Sequence, residues 1–151
     1  MERVSPELWF RRSTTVSAEM LLALIYKGDL TATIRLGARH ERHFKGYAVG
    51  EDVVIRVKDA ADNDMIVRQA RVTDIVIKRL CLLTDEELAD TLFYKSWREV
   101  LHDLMFFEKK PVTADPMATL VRFEYTFEAR ELDPDDPRIK FPALFFRYQH
   151  D

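Results

Sequence analysis

Apolar and polar positions along the chain change period several times, and each change predicts an element. From Ser17, SAEMLLALIYKGD carries a serine suited to an N-cap, Glu19 in the first turn, and apolar Met20, Leu21, Leu22, Leu24 and Ile25. Gly28 then supplies a residue able to close a short helix in the left-handed conformation. The next segment, TATIRLG, alternates Thr31, Thr33 and Arg35 against Ala32, Ile34 and Leu36, the period of two expected of a half-buried strand. Its second set points to the core, so the threonines and the arginine point outward or into a cleft.

A charged loop at 38–50 precedes EDVVIRVKDA, which reads as a strand closed by the turn-rich AADND. MIVRQARVTDIVIKRLCLL is too rich in β-branched residues for a helix and reads as one long bent strand or two short ones. Thr84 with Glu87, and Ser96 with Glu99, resemble capping boxes that open a helical pair, the first helix running to about Leu92. In LVRFEYTFEARE, Leu120, Arg122, Glu124, Thr126 and Glu128 alternate with Val121, Phe123, Tyr125 and Phe127 as a last strand with one packed aromatic face. MERVSPELWFRRS holds Trp9 and Phe10 without periodicity and reads as an extended arm or edge strand. Helices inserted between strands, rather than alternating with them, predict an α+β domain with a small, curled, mostly antiparallel sheet and two to three helices.

Composition narrows the class. With 151 residues, 47% hydrophobic, the chain can build one core without staples. Lone Cys81 has no partner in the chain and no Cys/His cluster stands ready for zinc, so a reducing cytoplasm is the expected compartment. The start lacks the apolar region of a signal peptide, and no stretch approaches the ~20 apolar residues of a membrane span. Trp97 and Cys81 are expected in the core.

The net charge of −3 disfavours a protein that coats nucleic acid with its whole surface. Its distribution says more. Arg35, Arg39, Arg42 and Lys45 stand close together with His40 and His43, opposed only by Glu41. Such a patch attracts phosphate, arginine adds a planar fork that grips two phosphate oxygens, and Phe44 and Tyr47 would supply stacking surfaces. The same residues would also serve as a solvated loop. His40 and His43 are candidates because an unperturbed imidazole suits acid–base cleavage of RNA, but the loop offers them no second, fixed partner and no third metal ligand. The acidic turn at Asp133, Asp135 and Asp136 is broken by prolines, and no nucleotide-cofactor fingerprint is present, so neither a metal nor a cofactor is expected.

The stretch from Gly28 to Arg35 resembles the opening GxKxxExR motif of the ASCH family, small β-barrel domains related to the PUA RNA-binding fold. Glycine and arginine stand at the family spacing, and the similarity runs on through Gly50 and Glu51, the helical pair and the FEYTF strand, over roughly residues 17–128. The resemblance implies a PUA-like barrel at 17–130, preceded by an arm at 1–16 and followed by an extension at 131–151. The aromatic extension lies outside the resemblance, and its Phe141, Phe145 and Phe146 are expected to pack back onto the body or onto a second subunit as a homodimer. The resemblance further implies binding of RNA or a nucleotide-like ligand in a basic cleft built from Thr31, Thr33 and Arg35 and rimmed by Arg39, Arg42 and Lys45.

Two positions depart from the motif: the family's lysine is Leu30 here and its glutamate is Thr33. Bacterial members that deacetylate N4-acetylcytidine use that lysine, a threonine at the position of Thr33, and a glutamate from the helical region, near Glu86, Glu87 or Asp90 here. Leucine cannot act as a base, and loss of one member of a cooperating set removes much of its effect. The alternative of a small hydrolase acting on RNA or a modified nucleoside therefore falls back on Thr33 and His43 as catalytic candidates, and a protein-interaction module is the third reading.

Overall fold

The computed structural model describes residues 6–13, 15–39, 46–59, 61, 63–107, 115–127 and 139–140. In chain order the elements are β1 (Glu7–Phe10), α1 (Ala18–Lys27), β2 (Ala32–Leu36), β3 (Asp52–Lys58), β4 (Asp64–Arg79), a 3-10 turn (Leu80–Leu82), α2 (Asp85–Asp90), α3 (Trp97–Phe107), β5 (Met117–Tyr125) and β6 (Ile139–Lys140). The strands form one curled sheet in the order β1-β3-β4-β5-β2, with β6 on β4. Its pairs are antiparallel except β1 with β3, which is parallel. This is the small, mostly antiparallel α+β architecture that the periodicity predicts, and the arm is part of it, since Leu8 and Phe10 enter the core. No helix among the described residues is long and apolar enough to cross a membrane.

The long strand β4 organises the sheet. Between Val72 and Asp74 its register against β5 slips by one residue, leaving Thr73 as a bulge. A bulge bends and twists the strand that carries it, so β4 can serve β3 with its first half and β5 with its second while the sheet curls. Two apolar clusters result. One packs α1 and β1 against Val53, Ile55, Val57, Met65, Ile66, Val121 and Phe123. The other packs α2 and α3, through Leu88 and Val100, against Ala32, Ile34, Ala118 and Leu120. The even-numbered half of the last strand, expected to face solvent, is therefore buried at Leu120, because helices cover both faces there. Cys81 is half-buried rather than sealed in the core.

Local signals account for the helix ends. The Ser17 side chain accepts from Met20 N–H, and Gly28 closes α1 at φ +83°, with its N–H donating to Ile25 O and Leu24 O. Thr84 and Glu87 form the expected capping box, and α2 stops at Asp90, short of Leu92. Burial pushes the Glu87 carboxyl up, but hydrogen bonds from Lys78 and the Thr84 N–H outweigh it and hold the group below its ordinary range. At α3, Ser96 Oγ accepts from Glu99 N–H, whereas the Glu99 carboxylate takes Lys95 N–H, one residue before the N-cap position a capping box would use.

The turn from α1 into β2 is fastened by a buried arginine. Arg68 is 2% exposed, and its Nη1 donates to Ile25 O at 2.7 Å and Tyr26 O at 3.2 Å, while Nη2 donates to Phe127 O. Its guanidinium lies 3.9 Å from the Tyr125 ring centroid, and Tyr125 in turn donates to Leu30 O at 2.7 Å. A cation at the C-terminal carbonyls of a helix also answers the negative end of the helix dipole. Arg68→Met is expected to cost about 3 kcal/mol, because the buried carbonyls lose their donors. Urea unfolding checks this, with Arg68→Lys recovering only part, since an ammonium cannot span the fork.

Candidate functional site

The first and last strands of the sheet order, β1 and β2, line one cleft of about 280 Å³, so the curl brings the two sheet edges toward each other without joining them. α3 and the segment before it wall the remaining side through Thr91, Phe93, Tyr94, Val100, Asp103 and Leu104. On β2, Thr33 and Arg35 both line this cleft, and register places them opposite Val121 and Thr119 on the same face of the sheet.

Arg35 is the unusual member. Its guanidinium stacks on Phe10 across the gap, 5.0 Å from the ring centroid. The side chain as a whole is half-buried, yet Nε and Nη2 are sealed from solvent and have no hydrogen-bond partner. Burial depresses its pKa; Tyr47 opposes this, and the neighbouring Arg39 guanidinium adds to it. A buried donor left unmade costs about 1–3 kcal/mol, so this group counts against the stability of the empty fold.

Arg39 is set beside it by the loop after β2. Thr119 Oγ1 accepts from Arg39 N–H at 2.8 Å and donates to Gly37 O at 2.7 Å, and Arg39 Nε donates to Leu36 O at 2.9 Å. Tyr47 N–H closes the far side of the loop on Arg39 O at 3.1 Å. Arg39 and Tyr47 are thus joined next to the cleft. Arg42, Lys45, His40, His43 and Phe44 lie outside the described residues. Tyr47 is 3% exposed, so it packs in the core and offers no stacking surface. Thr31 is exposed and does not line the cleft.

Among the described residues the carboxylate that lines the cleft is Asp103, which the sequence reading did not single out. It accepts from Tyr94 Oη at 2.7 Å, Ser13 Oγ at 3.0 Å and Thr15 Oγ1 at 3.2 Å. Burial, then the hydrogen bond to Asp103, push the Tyr94 pKa far up, which keeps its hydroxyl a donor. The available signal was helical spacing: Asp103 follows Val100 by three and precedes Leu104 by one, which puts a carboxylate on the apolar stripe of α3. The carboxylates considered from sequence go elsewhere. Glu87 pairs with Lys78, Asp90 pairs with Arg122, and neither they nor Glu86 line the cleft. Leu30 is 1% exposed in the core and also lies outside it.

Asp103 therefore holds the arm to α3 through hydroxyls, and Ser13 Oγ passes the order on by accepting from Thr15 and Val16 N–H. Asp103→Ala is expected to cost about 2 kcal/mol and to speed amide exchange at Thr15 and Val16, while Asp103→Asn, still able to accept, costs less. Unchanged exchange in the alanine variant would show that the arm is held by other means.

No protein-family model matches the chain, and no curated protein does. Among solved structures it is similar to protein EF3133 from Enterococcus faecalis V583, of family DUF984, with a TM-score of 0.53 over 83% of each chain at 20% identity. It is also similar to an ASCH domain from Lactobacillus crispatus JV V101, with a TM-score of 0.48 and 15% identity over 78% of this chain and 79% of that one. The likeness to EF3133 shows the fold, and the curled α+β sheet agrees with the architecture that the ASCH resemblance implies.

Proposed function

We propose that the cleft between β1 and β2 binds RNA or a nucleotide-like ligand. The observation that carries this reading is the Arg35 guanidinium, with Nε and Nη2 buried, unpartnered and in a cleft wall. A planar fork with unused donors suits a phosphate or the acceptor edge of a base. Thr33 adds a hydroxyl on the same face, and Arg39 adds a second cation. Arg42 and Lys45, which follow Arg39 in the chain, would steer the polyanion toward the opening. The lone thiol, Cys81, suits the reducing cytoplasm as the place where this occurs.

Binding is favoured over hydrolysis of an acetylated nucleoside by two placements. Leu30 stands in the core where the family carries its lysine, and no carboxylate of α2 lines the cleft.

Fluorescence anisotropy with labelled single-stranded RNA tests the proposal. Affinity should fall with salt by a slope of about −0.7 per phosphate contact, and Arg35→Gln should weaken binding by at least ~10-fold, which is about 1.4 kcal/mol. Absence of binding to RNA and to mononucleotides at low salt would sink it.

A further inference from the structure

Building on the reading that the cleft binds a nucleotide-like ligand, we infer that its occupant is a single nucleotide bearing a free, terminal phosphate monoester, not an internal stretch of an RNA strand. Three observations lead there. The first is size. At about 280 Å³ the cleft stands near the lower end of small-molecule sites, roughly 300–1,000 Å³. A groove that tracks a single strand accommodates ~4–16 nucleotides. Here Asp103 ties the arm to α3, and Phe10 stacks on Arg35 across the gap, so the space is crossed rather than left open along its length.

The second observation is charge. Among the described residues, the Arg35 and Arg39 guanidiniums stand close enough in the cleft wall for the second to depress the pKa of the first, so the pair calls for more than one negative charge. A phosphate monoester carries about −1.5 to −2 at neutral pH, whereas the diester inside a strand carries a single charge. The monoester is the closer complement.

The third is the depth of the grip. The unpartnered nitrogens of Arg35 are sealed from solvent, so the group that uses them must come within the walls. A terminal phosphate presents three oxygens and leaves the cleft by one ester bond. An internal phosphate presents two, and both of its ester oxygens must lead chain back out past Phe10 and α3. Aromatic and aliphatic walls at Phe10, Phe93 and Leu104 then face the nucleoside.

Calorimetric titration of the full chain distinguishes the cases. The probes are the 5′- and 3′-monophosphates of uridine and adenosine, the methyl ester of each phosphate, the parent nucleosides, and hexauridylate with a 5′-hydroxyl or a 5′-phosphate. At least one monophosphate should bind at least ~10-fold tighter than its methyl ester, and Arg35→Lys, which keeps the charge but loses the fork, should reduce that binding by a similar factor. Thermal melts of that variant confirm that it is folded. Binding of the phosphorylated hexamer alongside the monophosphate identifies a chain end as the source, and its failure identifies a free nucleotide. A methyl ester as tight as its monophosphate, or a 5′-hydroxyl hexamer that binds as well as either, overturns this inference while leaving RNA binding intact. No binding by any probe overturns both.

Discussion

The carbonyl cluster gathered by Arg68 is the constraint on which the site depends. Helix α1 ends with its last carbonyls inside the protein, and β2 must begin five residues after Lys27, at Ala32, on the opposite edge of the sheet from β1. Arg68, reaching from the first half of β4, donates to Ile25 and Tyr26 at the helix end and to Phe127 just past β5. Three segments distant in sequence are thereby held at one point. Gly28 makes the corner there at φ +83°, a conformation that favours glycine. A Cβ would meet Arg68 Nη1 and a Tyr125 ring carbon at 3.6 Å, ordinary contact distances, so the requirement for glycine lies in the backbone and not in space. With the corner fixed, Thr33 and Arg35 project from a strand whose start cannot drift.

Arg35 is the counterpart of Arg68 in a different role. Both guanidiniums enter the protein and both lie against aromatic rings. One spends its two Nη groups on backbone carbonyls and acts as a rivet. The other keeps Nε and Nη2 unused at the gap between sheet edges. Burying a charge without its hydrogen bonds opposes folding, and groups perturbed in this way cluster at functional sites. The surrounding parts serve that state: Thr119 pins the loop that carries Arg39, and Asp103, engaged by hydroxyls from the arm and from Tyr94, steadies the wall facing Arg35. A small curled sheet that does not close thus gains a pocket from its unsealed seam.

Much of this was legible in the chain. Ser17 and Gly28 mark both ends of α1 because capping is a short-range matter of one hydroxyl and one positive φ. Alternation in β2 correctly separated Ala32 and Ile34 from Thr33 and Arg35, because an edge strand has one packed face. The same rule failed for β5, where Leu120 is as buried as Val121, since α2 and α3 cover the face that alternation assigns to water. The site was half-legible. Motif spacing drew attention to Thr33 and Arg35, but Tyr47 sits in the core, Thr31 lies off the cleft, and Asp103 passed unnoticed. What decides those three is the closure of the sheet and the docking of α3, contacts between residues up to 90 positions apart that no local period encodes.

The central claim is that Arg35 serves a ligand at the expense of the empty fold, and the unfolding free energy of Arg35→Met in ligand-free buffer tests it most directly. Methionine removes the unpartnered N–H groups and can still pack its thioether against Phe10, so the variant should unfold at higher urea, by the equivalent of about 1 kcal/mol. A loss of more than about 1 kcal/mol would contradict the account, because it would mean that the guanidinium already has its partners in the empty protein and works as a second rivet.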